Sequence, residues 1–580
     1  MRLLKFALCL FVVCIAGCEK NTPSNSQVTT AEASNSESVK SEVSRSEATS
    51  SKQSQQVLTS DVSINETAYI PPQCFTDPVA DGVEHNPCYV CHTPSKAPNY
   101  LNDIDVQLSY AFPTSGLKNK WDNIFKDRTQ EIGLISDESI ISYVRADNYF
   151  NQDGEIAIKK RLESIPENWD RNKNGIWDGY IPDVYFSFDE FGFDRDLKGA
   201  YTGWRVYAYY PFPGAFLPTN GATDDVMVRL PEAFRTTESG DFDLAIYRTN
   251  FAILESLMNE RDVTIEPIDE SRLNVDLDKD GKLGMATMVK YEWDPRNDKN
   301  MSYVGMARVL LESGDIHLAA RLLPEGTEFL HTVRYIDVDG EQTLMATRMK
   351  ELRYSRKNSW RNYFQLRTIV TKEMKERHDF PDRTKVVVGN MEDGMSTPHG
   401  WTYQGFIEDA AGDLRPQTYE ETYACLGCHG YMGASNDTTV SFTRKFKETS
   451  YKEGWYHWTE RGVKGVADPI REDGHGEYAF YLQHNPTGNE YRDNDEVFNK
   501  FFTKDGKPKA DMFERLQSDI SVLLMPTPER AIALNKAYKV IVDEQSYHLG
   551  RDPVLNARDK VLKEVELDSD TGITEVLSYY

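Results

Sequence analysis

Residues 88–92 read Cys88-Tyr89-Val90-Cys91-His92, and residues 425–429 read Cys425-Leu426-Gly427-Cys428-His429. Both are C-x-x-C-H, the pattern to which c-type haem is covalently attached. Two thiols three positions apart can reach both vinyl groups of one porphyrin, and the adjacent imidazole then falls under the iron. His92 and His429 are therefore read as proximal ligands, and Cys88, Cys91, Cys425 and Cys428 as the attachment thiols. The chain has eight cysteines and eleven histidines in 580 residues, so chance seldom makes the pattern once and rarely twice. A redox dithiol or a zinc site also uses C-x-x-C, but neither accounts for the histidine that follows in both copies.

Working outward, residues 1–17 form an export signal, with Arg2 and Lys5 at the positive end and an apolar run over 6–15 that is too short to span a bilayer. It ends Ile15-Ala16-Gly17-Cys18, which resembles the lipobox of bacterial lipoproteins. That resemblance implies cleavage before Cys18 and lipidation of its thiol, anchoring the chain by acyl chains. Glu19 follows; an Asp there favours inner-membrane retention in enteric sorting, so the chain is expected at the outer membrane, facing the periplasm or the cell surface. Residues 18–66 are rich in Ser, Thr, Asn, Gln and Glu. Such a segment cannot bury enough surface to offset its ordering entropy and reads as a disordered tether, with the folded body starting near Ala68.

The net charge of −26 argues against a nucleic-acid partner and favours basic protein partners. Of the cysteines, Cys9 and Cys14 leave with the signal, Cys18 takes lipid and four serve the two motifs. Cys74 remains, to be read as a buried free thiol, a thiolate near an iron or a bond to a partner.

The expected fold is mixed α+β and multidomain, with irregular, helix-containing haem-binding segments flanking a large mixed middle. The first haem-binding region spans 67–165, the middle 166–390, and the second haem-binding region, with a C-terminal helix, 391–580. Strands are expected over 285–289 and 328–338, and helices over 242–258 and from Pro528, which Thr527 can cap. Residues 343–377 are expected to be helical, because Met345, Met349 and Leu352 recur at helical spacing.

Two stretches of the middle resemble calcium loops. Asp170, Asn172, Asn174 and Asp178 stand at the first, third, fifth and ninth positions of one, with Gly175 at the sixth; Asp276, Asp278 and Asp280 lead the other, with Gly281. The twelfth position is Ile181 or Thr287, not Glu, and Asp183 is a candidate substitute in the first loop. Alternating Asp and Gly also suits a solvated turn.

The group opposite each iron decides between electron transfer and chemistry. His331, His399, Met395 and His475 are the distal candidates; His331 shares a strand face with Phe329, Val333 and Tyr335. No phosphate loop, H-E-x-x-H or nucleophile elbow occurs.

Taken together, the lipobox and the two motifs resemble exported di-haem c-type cytochrome lipoproteins of bacteria. The resemblance implies two covalent haems, with calcium as a further candidate cofactor, in a carrier passing electrons between redox proteins of the respiratory chain. The long interval between the motifs departs from compact di-haem peroxidase-like enzymes. An oxidoreductase with one substrate-accessible haem, acting on peroxide or a sulfur compound, stays open beside the carrier, and with it whether the chain is an enzyme.

Overall fold

A computed structural model describes residues 67–80, 82–214, 218–383, 387–486 and 494–580. The signal, Cys18 and the whole tether lie outside these residues. Among the described residues, no helix is long and apolar enough to cross a membrane.

The mixed α+β expectation holds. Ten antiparallel strands make one sheet, and the described residues form one compact unit around it. Its order runs Gly389–Asn390, Gly394–Ser396, Trp401–Glu408, Gln342–Lys357, Glu328–Asp339, Val226–Arg229, Tyr201–Tyr207, Phe193–Arg195. Leu414–Pro416 pairs with Trp401–Glu408, and Thr223–Asp224 with Glu328–Asp339. The strands at 285–289 and 328–339 and the helices Leu244–Asn259 and Pro528–Glu544 stand where the sequence placed them. Asp243 caps the first helix, accepting from the amides of Ala245 and Ile246 at 2.8 and 3.0 Å, and Thr527 caps the second, accepting from Arg530 at 3.3 Å.

One expectation is corrected. Residues 342–357 are a strand, and the helix begins only at Tyr363, with Asn362 and Gln365 forming a capping box, and ends at Asp379 just before Pro381. The helical spacing of Met345, Met349 and Leu352 has another cause. Met345 pairs with Ile336 but Met349 with Arg334, and the register shifts again before Glu351. Bulges insert extra residues there, so an apolar set that should recur every second position recurs every third or fourth.

Alternation divides the sheet. Leu330, Leu352 and Phe406 point to one side, where they pack with Trp204, Met227, Trp169 and Trp177. Phe329, Trp401 and Tyr403 join the core built around helix Leu244–Asn259. On that second side, register places His331 opposite Arg353 and Arg353 opposite Gly405, in one row across three strands. A side chain at Gly405 would collide with Gln417, which fills the place and donates to Glu351 at 3.0 Å.

Buried Glu408 ties the sheet to its helices. It accepts from Tyr335 Oη at 2.6 Å, Arg348 Nε at 2.7 Å and Tyr143 Oη at 2.9 Å, while its own carbonyl accepts from Tyr547 at 2.9 Å. Burial raises its carboxyl and Arg348 opposes that shift. Glu408→Leu leaves Arg348 buried without its anion, so the unfolding free energy falls by about 3–5 kcal/mol. Adding Arg348→Met recovers most of the loss in the same denaturation experiment.

Candidate functional site

The two C-x-x-C-H segments fold as two copies of one turn. Cys88–Val90 and Ala424–Gly427 are each a turn of 3-10 helix. In the first, Cys91 and His92 donate their amides to the Cys88 carbonyl at 3.2 and 2.9 Å; in the second, Cys428 and His429 donate to Cys425 at 3.2 and 2.9 Å. No disulfide joins the four thiols or Cys74. Different neighbours prepare the two turns. Asn86 accepts from the Tyr89 amide at 3.2 Å in the first. A capped helix, Tyr419–Tyr423, leads into the second, with Thr418 and Glu421 as its capping box.

Each histidine is oriented through its Nδ1. His92 Nδ1 lies 2.9 Å from Asp103 Oδ2, and His429 Nδ1 lies 2.9 Å from the carbonyl of Thr438. With Nδ1 donating, Nε2 is left as the ligating nitrogen. Thr438 is held in place by the contacts of its loop, which also keep the strained backbone. Asp437 and Thr438 both take left-handed backbone, φ 51° and 60°. Asp437 is buried against Lys357 Nζ at 2.5 Å and accepts the Leu323 amide at 2.9 Å. The Thr438 hydroxyl meets Tyr403 Oη at 3.1 Å, and the Tyr403 ring lies 5.0 Å from His429.

The segments, far apart in the chain, are bonded to each other. Ala434 donates its amide to the Cys91 carbonyl at 3.1 Å, and the Gly433 amide reaches both Asp103 oxygens at 3.1 Å. A side chain at Gly433 would collide with Thr93 and Asp103, so glycine permits this approach. Tyr431 Oη donates to Pro98 at 2.9 Å and Asn99 Nδ2 to Gly433 at 3.3 Å. The C-terminus closes the first segment: Gln107 donates to the carbonyls of His92 and Leu577 at 2.6 and 2.7 Å, and Tyr579 donates its amide to Thr93 at 2.9 Å.

Burial governs the electrostatics. It raises the thiols of Cys91, Cys425 and Cys428, the last to about 11, where the charge of Cys425 adds to it. Burial raises the thiol of Cys74, and this leftover cysteine is partly buried, packed on the apolar cluster that holds Phe75 and Tyr110. Burial also lowers His429 and takes His331 down to about 3, with the charges of His429 and Arg353 acting the same way. His331 shares a sheet face with Tyr403, whose ring lies against His429, and it makes no side-chain hydrogen bond among the described residues. Burial works against the Glu351 carboxylate, yet Arg353 at 3.0 Å and Arg551 at 2.6 Å bring it to about 2.

Two of the remaining candidates, His399 and Met395, lie beside the second segment. His399 is buried and stacks on Tyr431 with ring centres 4.1 Å apart. Met395 is buried among Val387, Tyr419 and Tyr423. His475 is 64% exposed and sits 3.2 Å from Asp473. Asp183 is engaged by Arg229 at 2.6 Å and Trp204 Nε1 at 2.8 Å, so it does not complete the first acidic loop. In that loop Asn172 and Asn174 both donate to Asp178 at 2.8 Å, and Asp170 accepts from Gly175 at 2.7 Å. In the second, Glu270, Asp276 and Asp278 bring ligand atoms within 4.8 Å of one another, while Asp280 accepts from the Lys282 amide at 2.8 Å. In both loops a glutamate from outside, Glu392 or Glu270, accepts the second- and ninth-position amides: Arg171 and Asp178 in one, Leu277 and Gly284 in the other.

Residues 58–518 match a family whose description reads "-like lipoprotein". The chain belongs to that lipoprotein family. A protein of Aquifex aeolicus (strain VF5) named an uncharacterized lipoprotein is 29% identical over 573 residues, covering 88% of this chain and 91% of the relative. No solved structure matches. Asp103, Thr438, Tyr403, Arg353 and Arg551 surround the motifs of this lipoprotein, yet none carries a sequence signal; only the fold brings them in.

Replacing Lys357 with Met leaves Asp437 buried without its cation and costs about 3–5 kcal/mol of stability. Hydrogen exchange of the 436–439 loop accelerates, and Lys357→Met with Asp437→Asn restores most of the protection.

Proposed function

We propose that this lipoprotein is an exported di-haem c-type cytochrome, held by lipid on Cys18 at the outer membrane and passing electrons between redox proteins at the periplasmic or surface side. The observation that carries the reading is the repetition of one geometry: two C-x-x-C-H turns with matching hydrogen bonds, each followed by a histidine whose Nδ1 is occupied. That donor set fits a porphyrin held by two thioethers and one imidazole. A zinc held by both cysteine pairs would need the four sulfurs gathered into a tetrahedron. Among the described residues, the group of His, Cys, Asp or Glu close enough to hold one ion is instead Glu270, Asp276 and Asp278.

Haem c supplies a one-electron couple when bound, and the chain's residues set its surroundings. His92 and His429 present Nε2 as proximal ligands. His331, on the sheet face whose Tyr403 packs against His429, would be the second imidazole to hold the iron of the second centre. Arg353 and Arg551, beside Cys425, supply positive charge at that centre. Calcium at Glu270, Asp276 and Asp278 is proposed as a structural ion. An oxidoreductase with substrate access to one centre is the second reading, and it concerns the first, for which His331 is not the ligand.

The test is spectroscopic. Oxidised wild-type protein gives low-spin signals, and His331→Ala converts one of two centres to high spin. An unchanged His331→Ala spectrum removes His331 from the iron. A high-spin signal in the wild type moves the first centre from carrier to oxidoreductase.

A further inference from the structure

The two histidines differ in what holds them. His92 donates to a carboxylate that is itself 9% exposed, with His92 18% exposed, whereas His429 donates to a neutral backbone carbonyl. A carboxylate accepting Nδ1–H raises the basicity of the imidazole and orients it. It also places negative charge one ring away from the ligated atom, which favours the more highly charged, oxidised metal. The wider charges lean the same way. Beside Cys91 the acting charged side chain is Asp103, while beside Cys425 they are Arg551 and Arg353, set against Glu351.

We infer that Asp103 is a positioning residue that makes the two centres unequal, holding the one ligated by His92 at the lower reduction potential. The inference rests on the di-haem reading and adds an order to it: the first centre is the stronger reductant and the second the stronger oxidant. Asp103 is suited to this because the Gly433 amide, at 3.1 Å from both its oxygens, fixes the carboxylate while it serves His92. The same bond ties the potential of the first centre to the segment that follows the second.

The experiment is a spectroelectrochemical titration of the full chain, with bound haem counted by intact mass in each sample. The wild type is expected to titrate in two resolved steps. Asp103→Asn should raise the lower step, leave the upper in place and narrow the gap, while Asp103→Glu, which keeps the charge, should restore most of it. A doubly substituted chain, Cys425→Ser with Cys428→Ser, keeps only the first centre and should titrate at the lower wild-type step. Two haems with an unmoved lower step in Asp103→Asn, equal shifts of both steps, or titration of the single-centre chain at the upper step would overturn the assignment of Asp103. Wild-type protein without haem would overturn the di-haem reading itself.

Discussion

The carboxylate of Asp103 is where the two halves of the site are joined. It receives the Nδ1–H of His92 and the amide of Gly433, so one part-buried anion holds the first motif and the segment that follows the second. A buried carboxylate is costly unless its lone pairs are filled, and here both filling groups come from the site. The bond from Ala434 to Cys91, the clasp of Asn99 and the approach allowed by Gly433 belong to the same contact. What lies between the motifs in sequence, chiefly the ten-stranded sheet, serves to bring them together.

The sheet supplies the surroundings of the second motif. Its apolar side is a conventional core, but its other side carries His331, Arg353 and Glu351, polar groups that burial would penalise without partners. Arg353 and Arg551 share Glu351, and Lys357 pairs with Asp437. His331 has no such partner among the described residues. Its imidazole lies on the sheet face that carries Tyr403, which packs against the histidine of the second C-x-x-C-H turn.

The chain's own residues made some of this legible. The two motifs, the strand at 328–338 and its alternation, and the helix from Pro528 all follow from local chemistry: thiol spacing, period-two burial and a Thr-Pro cap. The strand at 342–357 was hidden because bulges between Met345 and Glu351 imitate helical spacing. Asp103, Thr438 and Arg551 were hidden for a different reason. Their roles arise from contacts between segments remote in the chain, such as Arg551 with Glu351 and Gly433 with Asp103, and no periodicity records those. The acidic loops stand between these cases: their spacing is plain, but Glu392 and Glu270, which accept loop amides in both, come from outside the pattern.

The central claim is that both turns carry covalently attached haem. Intact mass of the full chain, produced in cells with haem-maturation machinery, measures it directly. The account predicts a mass greater than the lipidated polypeptide by two haems, falling by one in Cys88→Ser with Cys91→Ser and by one in Cys425→Ser with Cys428→Ser. A mass equal to the lipidated polypeptide alone, or one unchanged by removing either pair of thiols, would contradict it.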